Sequence, residues 1–164
     1  VGIFSTTYRI GFGIFTALII INFISAKNIS KLFQTSSTVK LDSEYKHFSI
    51  ISSILGILLF LSAIIIVNIL KVYTPYFINI YQILFFMLLT FCTFFGPTDM
   101  ILNLCNQEKL NKNISLLTLL SIMVLFCLGT KFLGINAGYI LLGIILFLKY
   151  LISFYYVRLK ILKI

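Results

Sequence analysis

The sequence predicts an all-α fold, a polytopic helix bundle that crosses a membrane five times. Three observations carry that prediction. The chain is 60% hydrophobic and 10% charged, with a mean hydropathy of +1.11, against roughly 45–50% and 25% for a soluble domain. Its apolar residues form long continuous runs, not the alternating segments of about ten residues that a membrane β-barrel uses. Its basic residues sit between those runs rather than along one face. A chain so composed cannot cover its surface with polar groups in water.

A hydrocarbon core of about 30 Å takes roughly 20 residues of helix, and five runs qualify: 2–26, 47–70, 76–104, 114–131 and 136–157. The first opens directly behind Val1, with no basic segment or small-residue cleavage site before it in this sequence, so it is expected to be a span rather than a signal peptide. It carries Arg9 some seven residues inside the span. The polar stretch 27–46 follows, with Ile29, Leu32 and Phe33, then Leu41, Tyr45 and Phe48, at helical spacing between lysines. That pattern predicts short amphipathic helices on the membrane surface, split at "TSST", or else extensions of the two flanking spans.

The second run ends at the short turn "KVYTPYF". The third runs into "GPTDMILNLCNQEKLNKNIS", residues 96–115, where a helix breaker and a carboxylate interrupt an apolar segment. Pro97 has no amide to donate and clashes with the carbonyl four residues back, so the helix bends near Phe94 to Gly96, where Gly96 gives room. Carbonyls freed at such a break need partners from neighbouring helices or water. Asp99 lies about one turn from the span's end, either reaching the interface and pairing with Lys109 or Lys112, or acting as a carboxylate coupled to transport. "CNQEKLNKN" reads as a loop into the fourth run. A turn around "KFLGIN" leads to the fifth, which carries Lys149 about eight residues from its end.

Lysines and arginines orient the spans. Lys27, Lys31, Lys40, Lys46, Lys109, Lys112, Arg158, Lys160 and Lys163 fall on one side, and only Lys71 and Lys131 on the other. The 27–46 loop, the 105–113 loop and the C-terminus are therefore expected in the cytoplasm and Val1 outside, in a cell (inner) membrane. Tyr73, Tyr76, Tyr139, Tyr155 and Tyr156 stand near run ends, where an apolar ring with a polar tip suits the headgroup region. An outside amino terminus and an odd number of spans point to a piece of a larger polytopic chain.

Several function classes are disfavoured. The net charge of +9 is spread over loops, which speaks against nucleic acid. Cys92, Cys105 and Cys127 form no CxxC pair and the one histidine, His47, sits in a loop, so no metal or cofactor is expected and the thiols read as packing groups. The carboxylates are Asp42, Glu44, Asp99 and Glu108, and three lie in loops, which leaves no catalytic set. What remains are ionisable residues inside spans, each costing at least about 2.5–3.5 kcal/mol at mid-depth. Arg9 either snorkels to the headgroups or lines a cavity for an anionic substrate, and Lys149 has the same two readings. Asn22, Asn68, Asn79 and Gln82 read as interhelical hydrogen-bonding groups.

The segment "GPTDMILNLCNQEKLNKNIS" resembles that of polysaccharide flippases, the O-antigen and teichoic-acid type members of the multidrug/oligosaccharidyl-lipid/polysaccharide exporter superfamily. There a Gly-Pro-Thr start leads through "LN" and "EK" into the next span. "VGIFSTTYRIGF" is similar to their "VGxYxxAxRI" helix. "SAKNISKLFQTSSTVKLDSEYKHFSII" resembles the following cytoplasmic loop, and "FLGINAGYILLGI" the outer turn "xxGIxGAAxA". Asp99 stands where a small residue is more usual, and Cys105-Asn106 replace Thr-Gly before "EK".

The resemblance implies spans eight to twelve of a twelve-span, two-lobe exporter that moves lipid-linked oligosaccharide by alternating access. It implies as partners a lipid-linked glycan, membrane lipids and a missing amino-terminal lobe. It makes Arg9, and with it Lys149, the expected substrate-binding cations, and Gly96, Pro97 and Asp99 a hinge or coupling element. The alternative is a small self-contained membrane protein with an assembly or channel-like role.

Overall fold

The computed structural model describes residues 2–34, 38–73 and 79–162. Seven α-helices follow one another, and no strand occurs among the described residues. They are α1 (Gly2–Gln34), α2 (Thr38–Tyr73), α3 (Ile80–Phe94), α4 (Thr98–Leu104), α5 (Glu108–Ser121), α6 (Cys127–Leu133) and α7 (Ile135–Tyr156). A π-helical turn, Ile122–Phe126, joins α5 to α6, and a second, Val157–Leu162, extends α7. These pieces make five helical stretches long and apolar enough to cross a membrane: Ser5–Gln34, Val39–Lys71, Ile80–Leu104, Glu108–Phe132 and Asn136–Leu162.

The bounds differ from the expected ones in an informative way. The stretch 27–46 is not a pair of separate surface helices. α1 continues to Gln34 and α2 begins at Thr38, so the flanking spans extend; residues 35–37, within "TSST", lie outside the described residues. Ile29, Leu41 and Tyr45, the apolar positions that looked amphipathic, are at most 2% exposed. They meet Ile101, Leu102, Cys105 and Val157 in one cluster. Burial against α4 and the end of α7, not a lipid surface, holds them. The "CNQEKLNKN" loop shrinks likewise: α5 starts at Glu108, and only Cys105–Gln107 turn, with Asn106 in the left-handed region at φ 60°.

Long apolar helices have no reason to choose one neighbour over another in lipid, so small residues and polar contacts decide the packing. α1 packs along α2, and α3 along α7, with α3 also touching α1 and α2. Gly56 of α2 lets α3 approach so closely that a Cβ there would overlap the Thr93 side chain. A second cluster, Ile14, Val67, Phe85, Phe86, Leu89 and Tyr139, fills the middle of α1, α2, α3 and α7. The α5–α6 stretch lies at the edge of this bundle, touching mainly α7, and Asn111 and Ile114 are its buried residues.

Most in-span polar groups satisfy themselves within their own helix rather than across helices. The Asn68 side-chain amide donates to the Ile64 carbonyl at 3.0 Å. The Asn79 backbone N–H donates to Gln82 Oε1 at 3.1 Å, half of a capping box that starts α3. Thr90 and Thr93 donate back to Phe86 and Thr90. Tyr139 is 2% exposed, its ring packed among neighbouring helices near the start of α7, whereas Tyr155 is exposed. Tyr76 and the Tyr73 side chain lie outside the described residues.

Candidate functional site

The third span is broken where the proline predicts it. α3 stops at Phe94, Gly96 takes φ +66°, and α4 resumes at Thr98 after Pro97. Only glycine adopts that backbone without strain, and a Cβ on Gly96 would also come within 3.0 Å of the Ser49 Cα and Cβ. The break frees the carbonyls of Phe94 and Phe95. Two hydroxyls from α2 take them: Ser49 Oγ donates to the Phe94 oxygen and Tyr45 Oη to the Phe95 oxygen, both at 2.6 Å. Tyr45 and Ser49 stand four residues apart and so share one helix face. The hinge is thus clamped by a neighbouring helix, through Tyr45, which the spacing marks only as an apolar position, and Ser49, a second-span residue that no sequence feature singles out.

Directly behind the break, Lys149 Nζ of α7 donates to Asp99 Oδ2 of α4 at 2.7 Å. Asp99 therefore pairs with neither Lys109 nor Lys112, and Lys149 is engaged inside the bundle rather than extended to the headgroups. Both side chains are largely withdrawn from the surface, 15% and 20% exposed. At low dielectric two opposite charges in contact cost far less than either alone. The Lys149 ammonium also lies 4.9 Å from the Tyr150 ring centroid, a cation–π contact. Tyr150 itself is fixed by the Phe15 ring, 5.4 Å away edge-on, and by Leu18 and Cys92. Asp99 Oδ1 is buried without a hydrogen bond of its own among the described residues, so Oδ2 takes the Lys149 contact, and the Tyr150 side chain faces the same carboxylate.

Asn111 ties the next helix to this place. Its amide nitrogen donates to Asn103 Oδ1 at 2.8 Å and to the Asp99 backbone carbonyl at 3.3 Å. The structure thus gathers Gly96, Pro97, Asp99 and Lys149 at one level of the bundle and adds Tyr45, Ser49, Asn111 and Tyr150. Arg9 is not among them. It is exposed on α1, nine residues before Leu18 of the Tyr150 cluster, or about 13 Å along the helix.

The thiols divide by position. Cys92 and Cys105 are buried, as packing groups should be, but Cys127 is exposed on α6. Burial pushes the Cys105 thiol up to about 11. Among the described residues no three His, Cys, Asp or Glu side chains gather as a metal site would require.

The fold and this charged, broken span define a multi-pass helical membrane protein. No family model, curated protein or solved structure matches the chain.

Proposed function

We propose that the chain takes part in moving a lipid-linked oligosaccharide or polysaccharide repeat unit across the cell membrane by alternating access. In this reading it works with the amino-terminal lobe that the sequence resemblance implies. The observation that supports it is a span interrupted at Gly96–Pro97 beside an ion pair inside the bundle. Transporters build sites from discontinuous helices, and intramembrane charge marks function more often than packing. Here α4 is the moving piece, Gly96 and Pro97 the hinge, and Asp99–Lys149 the contact made and broken. The basic end of the bundle faces the cytoplasm, as does the C-terminus, and Val1 lies outside. Arg9, the exposed cation on the first span, meets the diphosphate of the substrate.

Equilibrium binding tests this. In nanodiscs, a polyprenyl-diphosphate oligosaccharide is expected to bind saturably, about tenfold more weakly to Arg9→Ala and with partial recovery in Arg9→Lys. Equal binding of the free polyprenol, or no change in either variant, rejects the reading. The alternative, a self-contained protein with an assembly or channel-like role, draws on the internal pairing of Lys149, which leaves that charge structural.

A further inference from the structure

A groove of about 440 Å³ runs between α5 and α7. Its walls are apolar, with Leu117 and Leu125 on one side and Ile145 and Ile152 on the other. On α5 and the π turn its lining runs from Leu110 to Leu125, about 22 Å at the rise of a helix. The groove lies wholly within two stretches able to cross a membrane. Lys149 lines it too, but its charge is matched by Asp99, so the groove carries no net charge along its length.

The two ends are unlike. At one, Asn113 and Tyr156 are part of the lining. Lys160 Nζ lies 5.6 Å from the Tyr156 ring, and Lys109 precedes Asn113 by one turn on the same face of α5. Neither lysine forms an ion pair among the described residues. Glu108, the nearby carboxylate, lines a neighbouring hollow together with Lys109 and Lys112, so one negative charge faces two positive ones there and Lys160 adds a third. A hydrocarbon-lined slot with an excess of cations beside one end matches one kind of molecule in a bilayer, a lipid with an anionic head. Basic pockets between membrane helices take phosphate-bearing headgroups in this way.

We propose that this groove seats one anionic phospholipid, with a hydrocarbon chain between α5 and α7 and its phosphate between Lys109 and Lys160. The site stands independently of the transport reading. Its occupant explains why α5 touches the bundle over so little of its length: lipid, not protein, completes that contact.

Native mass spectrometry of the full chain, offered phosphatidylglycerol or phosphatidylcholine with identical acyl chains, tests the proposal. One phosphatidylglycerol should stay bound per chain, preferred over phosphatidylcholine by roughly thirtyfold, the gain expected of two basic residues beside a phosphate. Lys109→Gln with Lys160→Gln should bring the two lipids to near-equal retention. Ser121→Phe, which fills the groove, should lose both lipids while circular dichroism stays helical. Equal retention of the two lipids by the unaltered chain overturns the proposal. So does an unchanged preference in the lysine variant, which alters only exposed residues and keeps the test valid should Ser121→Phe not fold. A dimer that excludes lipid overturns it as well, by assigning the groove to a second copy.

Discussion

Asp99 and Lys149 show how a single contact changes the meaning of two residues. Apart, each is a costly charge in a span; together they are a neutral, directional link between α4 and α7. Removing one member of such a pair strands the other, at a cost of about 3–5 kcal/mol, while replacing both with apolar groups of similar shape is far milder. Asp99→Asn and Lys149→Met are each expected to lower the thermal midpoint in detergent strongly. The double variant should recover most of the loss, a coupling that a double-mutant cycle measures. Additive losses would show that the two side chains do not depend on each other. The Cys105 thiol gives a pH-linked counterpart. Its folded pKa of about 11 lies above the ordinary value of 9.0, so the folded state holds the proton more tightly. Its contribution to stability is complete below pH 9 and is lost as the pH rises toward 11. Cys105→Ala should flatten that part of the stability profile.

At the scale of elements, the break in the third span is held open by its neighbour rather than by proline alone. Pro97 removes one donor, Gly96 supplies the left-handed turn, and Tyr45 and Ser49 satisfy the carbonyls that result. Losing the Tyr45 hydroxyl leaves the Phe95 carbonyl of a part-buried contact unpaired, and losing the Ser49 hydroxyl takes the partner from the more exposed Phe94 carbonyl, each worth about 1 kcal/mol. Tyr45→Phe and Ser49→Ala should each destabilise by about that much in a denaturation series, and their combination by about twice as much. Gly96→Ala should cost more than either, because it meets both an unfavourable φ and the Ser49 backbone. A Gly96→Ala protein as stable as the parent would mean that α3 and α4 can rejoin without the turn.

For the molecule as a whole, most of the described basic residues, though not Arg9 or Lys149, gather at one end. Lys27, Lys31, Lys40, Lys46, Lys109, Lys112, Arg158 and Lys160 lie near the cluster of Ile29, Leu41, Cys105 and Val157, and Lys71 and Lys131 near the other end. With the native cysteines replaced, single cysteines at Ser43 and Asn106 should react with an impermeant maleimide from the same side of oriented vesicles. One at Asn136 should react from the opposite side, and the cytoplasmic side should be that of Ser43 and Asn106. Labelling of Ser43→Cys and Asn136→Cys from one side would refute a five-span arrangement.

Composition and periodicity by themselves determined the fold class, the number of spans, the gathering of charge at one end and the break at Gly96–Pro97. All of these rest on local physics: apolar length against bilayer thickness, and the missing amide of a proline. The extent of the first two helices was not legible, because lysines between apolar residues look alike in a surface helix and in a helix extended beyond the membrane. Only burial against Ile101 and Val157 separates the two. The tertiary structure alone decided what Asp99 and Lys149 do, since fifty residues lie between them and no spacing rule joins them. It alone decided that Tyr45 and Ser49 clamp the hinge, that Arg9 stands apart, and that a groove follows α5. Those are relations between helices, fixed by which faces meet, and a one-dimensional pattern holds the faces but not their partners.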